Sequence, residues 1–120
     1  MGAVRLLLVD DEPALLELLK TYLERLGYQV DGRGDAHEAI SLFEADPRRY
    51  ALVLTDLTLP GINGEEMISR MRASNPDLLA IVSSGYPYEP RGKSIVFLQK
   101  PYVPKMLADH IQKLLRNPRD

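Results

Sequence analysis

The sequence predicts an α/β fold in which five parallel strands form one doubly wound sheet with helices on both faces. Five short apolar runs recur along the 120 residues, and longer stretches with apolar residues at helical spacing separate them. Strands that alternate with helices form a parallel sheet through right-handed crossovers. The length suits one domain, so residues 1–120 are predicted to form a single domain with a frayed tail at 117–120.

The first predicted strand runs from Val4 to Val9 and consists almost entirely of leucine and valine. Such a run is typical of a parallel strand that is buried on both faces. A helix is predicted to begin at Pro13, because the first helical position tolerates a residue without an N–H group. Leucines at helical spacing follow, and Gly27 is predicted to end this helix.

The second and third strands are predicted at Tyr28–Asp31 and Ala51–Thr55. Between them, Asp35 is predicted to cap a helix that continues to about Ala45, since an aspartate side chain can accept from the free N–H groups of the first turn. This part of the chain therefore continues the alternation of strand and helix.

Two more strands and two more helices complete the alternation. Asn63 or Gly64 is predicted to open the third helix, and strands are predicted at Leu78–Ser83 and Ile95–Leu98. A last amphipathic helix is predicted over about 103–116. Five strands in this length suit the flavodoxin-like strand order 2-1-3-4-5.

Composition excludes several classes of function. The chain has no cysteine, which excludes disulfides, thiolate catalysis and cysteine-based metal centres. Its 15 basic and 17 acidic residues give a net charge of -2, which argues against nucleic acid or an anionic membrane as the main partner. No apolar run approaches the roughly 20 residues of a membrane span. A cytoplasmic location is predicted.

Polar side chains follow four of the predicted strands. Asp10 and Asp11 follow strand 1, Asp56 follows strand 3, Ser84 follows strand 4 and Lys100 follows strand 5. Ligands of open parallel sheets bind beyond the carboxyl ends of the strands. We therefore expect these five side chains to gather at one edge of the sheet.

This set of side chains predicts phosphoryl transfer. At about 5 Å and an effective dielectric near 20, each pair of carboxylates repels by about 3 kcal/mol, so the cluster needs cations. Lys100 supplies one, and a hard divalent ion that prefers oxygen ligands supplies the rest, Mg²⁺ first and Mn²⁺ as an alternative. Ser84 and Lys100 can bind phosphoryl oxygens, and Asp56 can act as the nucleophile.

Four segments lie at the ends of predicted strands: VDDEP at 9–13, LTDLTLPGINGEE at 54–66, SSGY at 83–86 and FLQKPY at 97–102. Together, and in this order, they resemble the receiver domains of two-component response regulators, the CheY-like superfamily. The resemblance covers essentially the whole chain. The last two segments also resemble the receivers of hybrid histidine kinases.

The resemblance implies a role for each of the three aspartates, for Thr58 and for Lys100. Asp56 would accept a phosphoryl group from a histidine kinase or a histidine phosphotransfer protein. Asp11, Asp56 and the backbone carbonyl of Thr58 would bind Mg²⁺ directly, and Asp10 would bind it through water. Lys100 would pair with the phosphoryl oxygens.

The resemblance also implies moving and rate-setting residues. Ser84 would move to meet the phosphoryl group, and Phe97 would occupy the aromatic switch position. Thr58 and Tyr86 match positions that tune the rate of dephosphorylation. A cis peptide bond before Pro101 is typical of the family.

The segment between predicted strands 4 and 5 departs from the family, which normally has a full helix there. Pro87, Pro90 and Gly92 oppose a helix interior. We predict that this helix is shortened or missing. The usual output surface of the family includes this helix, so the sequence leaves the downstream partner and the mode of signalling open.

Two other functions compete with the phosphate acceptor. The first is a degenerate receiver that binds partners without phosphorylation, which the altered segment favours and the intact acidic set opposes. The second is an aspartyl phosphatase, since Asp56-Leu57-Thr58 superficially resembles the haloacid dehalogenase motif. That family needs a second aspartate where Thr58 stands, so turnover of an external substrate is not expected.

Individual residues also allow plainer structural roles. Asp10 and Asp11 could stabilise the start of the helix at Pro13. Phe97 could be an ordinary core residue of a strand. Ser83 is a rival to Ser84, but Ser83 falls within the predicted strand and Ser84 at its end, which favours Ser84.

Overall fold

A computed structural model describes residues 3–117 of the chain, and its sheet is the five-stranded parallel sheet that the sequence predicts. All four pairs of neighbouring strands are parallel. The strands are β1 (Arg5–Val9), β2 (Gln29–Arg33), β3 (Leu52–Asp56), β4 (Leu79–Ser84) and β5 (Ile95–Gln99). Their order, β2-β1-β3-β4-β5, confirms the predicted order. Of the predicted tail, residues 118–120 lie outside the described residues.

The helices of the described residues are α1 (Pro13–Arg25), α2 (Ala36–Ala45), α3 (Gly64–Ser74) and α4 (Pro104–Arg116). Side chains cap two of them as the sequence predicts: Asp35 accepts from the N–H of Glu38 at 3.1 Å, and Asn63 accepts from the N–H of Glu66 at 2.8 Å. None of the four is long and apolar enough to cross a membrane.

The sheet has an apolar layer on each face. On one face, the side chains of Leu8, Leu54 and Ile81 pack with those of α1 and α4. On the other face, Val53 and Val82 pack with the side chains of α2 and α3. Burial on both faces explains why the strands are almost continuously apolar.

The segment 85–94 connects β4 to β5 without a helix, as predicted. The carboxylate of Glu65 in α3 accepts hydrogen bonds from the hydroxyl of Tyr88 and from the N–H of Gly92. The guanidinium of Arg72, also in α3, donates to the carbonyls of Lys93 and Ser94. Two side chains of α3 thus hold the segment on the face of the sheet that α3 covers.

Four strands end later than the sequence predicts: β2 at Arg33, β3 at Asp56, β4 at Ser84 and β5 at Gln99. β2 continues past Asp31 through Gly32 and Arg33, which pair with Leu8 and Val9 of β1. Strands disfavour glycine, but the backbone pairing with β1 continues here nonetheless. β4 continues one residue past its predicted end at Ser83, so Ser84 lies at the end of the strand.

Candidate functional site

Three carboxylates meet at the edge of the sheet where the parallel strands end. Asp10 and Asp11 follow β1, and Asp56 ends the neighbouring strand β3. One carboxylate oxygen from each residue lies within 4.8 Å of the others. Asp10 is buried, Asp56 is half-buried and Asp11 is exposed. The fold therefore brings the predicted acidic residues together in a cluster that opens to solvent on one side.

The ammonium group of Lys100 reaches into this cluster from the end of β5. Its Nζ lies 3.2 Å from Asp10 Oδ2 and 3.4 Å from Asp56 Oδ2. It also lies 3.4 Å from Oε2 of Glu12, a contact that the sequence analysis missed. The only available signal was that Glu12 follows the two aspartates directly. The peptide bond between Lys100 and Pro101 is cis, as the resemblance implies.

The charges of the cluster shift two pKa values. Burial raises the pKa of Asp56, the Lys100 charge lowers it, and the Asp10 charge raises it, which leaves the value above the ordinary 3.8. Burial lowers the pKa of Lys100, but the charges of Asp10 and Asp56 outweigh that effect and raise the value overall. The Asp56 shift follows mainly from burial, and the Lys100 shift follows from the carboxylates around its ammonium group.

The cluster fits a hard divalent cation. Its carboxylate oxygens are the donors that Mg²⁺ and Mn²⁺ prefer, and they converge on one volume. One ammonium group cannot balance the surrounding carboxylates, so a divalent ion would relieve their repulsion. Thr58, whose carbonyl the resemblance adds to the ligands, lies two residues beyond Asp56. It is exposed and forms an isolated antiparallel bridge with Asn63.

Ser84 is buried at the end of β4, and its Oγ accepts a hydrogen bond from the N–H of Tyr86 at 3.0 Å. No hydrogen bond joins Ser84 to Asp56 within residues 3–117. The side chain of Tyr86 is 73% exposed. Phe97 lies half-buried in β5, with its ring centroid 6.3 Å from that of Tyr88 at an interplanar angle of 58°. The predicted switch residues therefore adjoin the segment 85–94.

Gly64 fixes the turn that follows Asp56. Its N–H donates to the carbonyl of Leu57 at 2.7 Å, which brings the start of α3 against the end of β3. A Cβ atom at this position would lie 2.8 Å from Cγ2 of Thr55 and closer still to the carbonyl of Asp56. Only glycine fits here without displacing the backbone of Asp56.

Comparison with protein families identifies the chain's relatives. A family model of the response regulator receiver domain matches residues 6–112. The regulatory protein VanRB of Enterococcus faecalis is 30% identical over 119 residues, which cover 95% of this chain and 53% of VanRB. The sensor kinase CckA of Brucella abortus is 28% identical over 120 residues, which cover 95% of this chain and 13% of CckA. The chain thus spans about half of VanRB and a smaller part of CckA.

Solved structures share the same fold. The receiver domain of the hybrid histidine kinase CckA aligns with a TM-score of 0.84 and 29% identity, covering 92% of this chain and 98% of that one. The response regulator TrrA of Thermotoga maritima, solved in complex with Mg²⁺ and BeF, aligns with a TM-score of 0.80 and 31% identity over 92% and 98% of the two chains. On the match of the family model over most of its length, the chain belongs to the family of response regulator receiver domains.

Proposed function

We propose that the chain is the phospho-accepting receiver of a two-component phosphorelay, and that Asp56 takes the phosphoryl group from a phosphohistidine. The observation that carries the proposal is the position of Lys100 Nζ, 3.2 Å from Asp10 and 3.4 Å from Asp56. A half-buried carboxylate beside a fixed ammonium group and two further carboxylates is suited to phosphoryl transfer, which needs an oxygen nucleophile and charge neutralisation.

In the transfer step, a carboxylate oxygen of Asp56 attacks phosphorus in line with the donor nitrogen. The phosphorus–oxygen bond forms as the phosphorus–nitrogen bond breaks, and the bonding electrons remain on the imidazole of the donor. Lys100 then binds the phosphoryl oxygens, which is an electrostatic contribution at the point where charge develops. Asp10, Asp11 and Asp56, with the carbonyl of Thr58, would hold a Mg²⁺ ion that neutralises the phosphoryl charge when bound.

The switch uses Ser84 and Phe97. We infer that the Ser84 hydroxyl donates to a phosphoryl oxygen once Asp56 is phosphorylated, which requires it to reorient from its contact with the Tyr86 N–H. The ring of Phe97 contacts Tyr88, so a displacement of Phe97 reaches the segment 85–94 directly. In this proposal the segment takes the part of the missing helix, and phosphorylation shifts its population between two arrangements.

Thr58 and Tyr86 set the lifetime of the phosphate in this proposal. Both are exposed, and each lies two residues beyond a proposed site residue, Asp56 or Ser84. Side chains at these positions would control how a water molecule approaches phosphorus.

The proposal also covers how the domain loses its phosphate, which donor supplies the phosphate and where the protein is located. Receiver domains are generally signalling modules, and we propose that this one, as a single domain over 1–120, loses its phosphate without turning over an external substrate. Its phosphodonor would be a histidine kinase or a histidine phosphotransfer protein, which the similarity to the sensor kinase CckA supports. A cytoplasmic location, with no direct contact with nucleic acid or membrane, belongs to the same proposal.

One observation favours a second function. The segment 85–94 lacks the helix that family members have, which leaves a receiver that binds its partner independently of phosphate as the alternative. In that alternative, the affinity of this chain for its partner would be the same with and without phosphorylation. The two functions differ first in whether Asp56 is modified at all.

The proposal is tested by incubating the protein with Mg²⁺ and acetyl phosphate and measuring its intact mass. We expect a phosphate-sized gain that is absent from Asp56→Asn and retained in Asp46→Asn, a matched substitution of an exposed aspartate at the end of α2. No gain in the unaltered chain, or an equal gain in Asp56→Asn, would contradict the proposal. Omission of Mg²⁺ should abolish the gain or slow it strongly.

A further inference from the structure

Within residues 3–117, two buried side-chain oxygens have no hydrogen-bond partner: Ser83 Oγ and Tyr102 Oη. Folded proteins pair the large majority of their buried side-chain polar atoms, so an unpaired one calls for a reason. Ser83 is only 1% exposed, and the adjoining residues of β4 are buried as well. Its hydroxyl therefore has no protein partner among the described residues of the unphosphorylated protein.

The register of the sheet places Ser83 beside Asp56. The two residues are direct partners in the pairing of β3 with β4. The pair two residues before them, Leu54 and Ile81, packs in the apolar layer under α1 and α4. Because side chains alternate between the faces of a sheet, Ser83 and Asp56 project from that same face. Neighbouring strands lie about 5 Å apart, so a donor at Ser83 lies within reach of a rotated Asp56 carboxylate.

Ser84 belongs to the other face. Val82, two residues before it, packs in the layer under α2 and α3. The Ser84 hydroxyl already has a partner, the N–H of Tyr86. The two adjacent serines therefore serve different faces of the sheet, and the proposed role of Ser84 does not account for the buried hydroxyl of Ser83.

We propose that Ser83 is a further catalytic residue of this site, whose hydroxyl donates a hydrogen bond to the Asp56 oxygen bonded to phosphorus. This inference rests on the proposed function. In the unphosphorylated protein, Asp56 Oδ2 has Lys100 Nζ as its donor at 3.4 Å. When Lys100 turns to the phosphoryl oxygens, the Asp56 oxygen loses that donor, and Ser83 is the neighbouring group that can replace it. In resting enzymes, catalytic hydrogen bonds are often long or poorly aligned, and they tighten only in the reacting complex.

The hydrogen bond matters most when the phosphate is lost. Water attacks phosphorus, and the phosphorus–oxygen bond to Asp56 breaks. The proton of the water passes to the phosphate that is released. The bonding electrons return to the Asp56 oxygen, which becomes a carboxylate oxygen. A donor at this oxygen stabilises the charge that develops there, so Ser83 should shorten the lifetime of the phosphate.

The test compares Ser83→Ala with Ser83→Thr, which keeps the hydroxyl. Each is phosphorylated with acetyl phosphate and Mg²⁺, the donor is removed, and the decay of the phosphorylated mass is followed. We expect Ser83→Ala to lose phosphate about threefold to tenfold more slowly, the effect of one ordinary hydrogen bond, and Ser83→Thr to restore the rate. The thermal unfolding midpoint of Ser83→Ala should be unchanged or higher, because removing an unpaired buried hydroxyl costs nothing.

Tyr102→Phe is the specificity control. It removes the other unpaired buried hydroxyl, whose pKa is affected by the charges of Lys100, Asp10 and Asp56, but Tyr102 is not the register partner of Asp56. It should leave the decay rate unchanged. An unaltered rate in Ser83→Ala, a failure of Ser83→Thr to restore it, or an equal slowing by Tyr102→Phe would each overturn the assignment of Ser83 and leave the proposed function intact. If the unaltered chain takes up no phosphate, the proposed function fails and this inference fails with it.

Discussion

The hydroxyl of Tyr88 donates a hydrogen bond to the carboxylate of Glu65, which attaches the segment between β4 and β5 to the first turn of α3. The same carboxylate accepts from the N–H of Gly92, so both of its oxygens are engaged. The ring of Tyr88 also contacts Phe97 in β5. One carboxylate thus fixes the segment that lacks a helix, and one aromatic ring connects the segment to the sheet.

Tyr88→Phe should loosen this attachment. The change removes the donated hydrogen bond and keeps the ring contact with Phe97, so we expect the free energy of unfolding to fall by about 1 kcal/mol. Amide hydrogen exchange within 85–94 should become faster, while exchange in β1 and β3 stays the same. Tyr86→Phe is the control, because that side chain is 73% exposed and its hydroxyl has no partner within residues 3–117. Unchanged exchange in Tyr88→Phe would contradict the attachment.

The attachment should also depend on pH. Burial raises the pKa of Glu65, but hydrogen bonds from Tyr88 and from the backbone N–H groups of Arg91 and Gly92 outweigh it and hold the pKa below the ordinary 4.5. A carboxyl group with a depressed pKa contributes stability above its unfolded-state pKa and loses it as the pH falls through its folded-state value. We therefore expect the contribution to be complete above about pH 4.5 and to disappear at more acid pH.

The measurement is the amide resonance of Gly92 in a pH titration. It should move with the protonation of Glu65 in the unaltered chain and lose this acid transition in Glu65→Gln. Glu66→Gln, a substitution of the adjacent exposed glutamate of α3, serves as the control and should keep the transition. A transition that persists in Glu65→Gln would assign it to another group.

Sequence reasoning located the acidic cluster because its residues lie at strand ends, and parallel strands bring their carboxyl ends to one edge. The segment 85–94 was harder to predict. Its prolines excluded a helix, but nothing in its pattern indicated that Glu65, 23 and 27 residues away from Tyr88 and Gly92, would hold it. The position of Ser83 beside Asp56 depends on the register of β3 against β4, which the alternation of apolar residues does not determine.

Arg72→Lys should destabilise the fold, because Arg72 holds the end of the segment 85–94 that leads into β5. The guanidinium donates to the carbonyl of Leu78 at 3.0 and 2.9 Å, and it also donates to the carbonyls of Lys93 and Ser94. An ammonium group cannot reproduce this planar set of donors, so we expect the free energy of unfolding in urea to fall by about 2 kcal/mol.

The control for this prediction is Arg70→Lys, on the same helix. Arg70 is exposed, and its side chain makes no hydrogen bond or ion pair in the described part of the chain. Its unfolding midpoint should not change. Equal midpoints for the two variants would show that the carbonyl contacts of Arg72 contribute little to stability.

Lys100→Gln should distinguish the roles of the two cations of the proposed site, the Lys100 ammonium group and Mg²⁺. Removing the ammonium group takes away a positive charge from beside Asp10 and Asp56, so the carboxylates should bind Mg²⁺ several-fold more tightly. The rate of phosphate uptake from acetyl phosphate should fall by about 100-fold, the effect of losing one charge-stabilising donor from a reaction site. Titration calorimetry with Mg²⁺ and the time course of intact mass measure the two effects. Lys113→Gln, an exposed substitution in α4, should change neither. Weaker Mg²⁺ binding in Lys100→Gln would mean that the ammonium group supports the metal site instead of competing with it, and the electrostatic account of the cluster would be wrong.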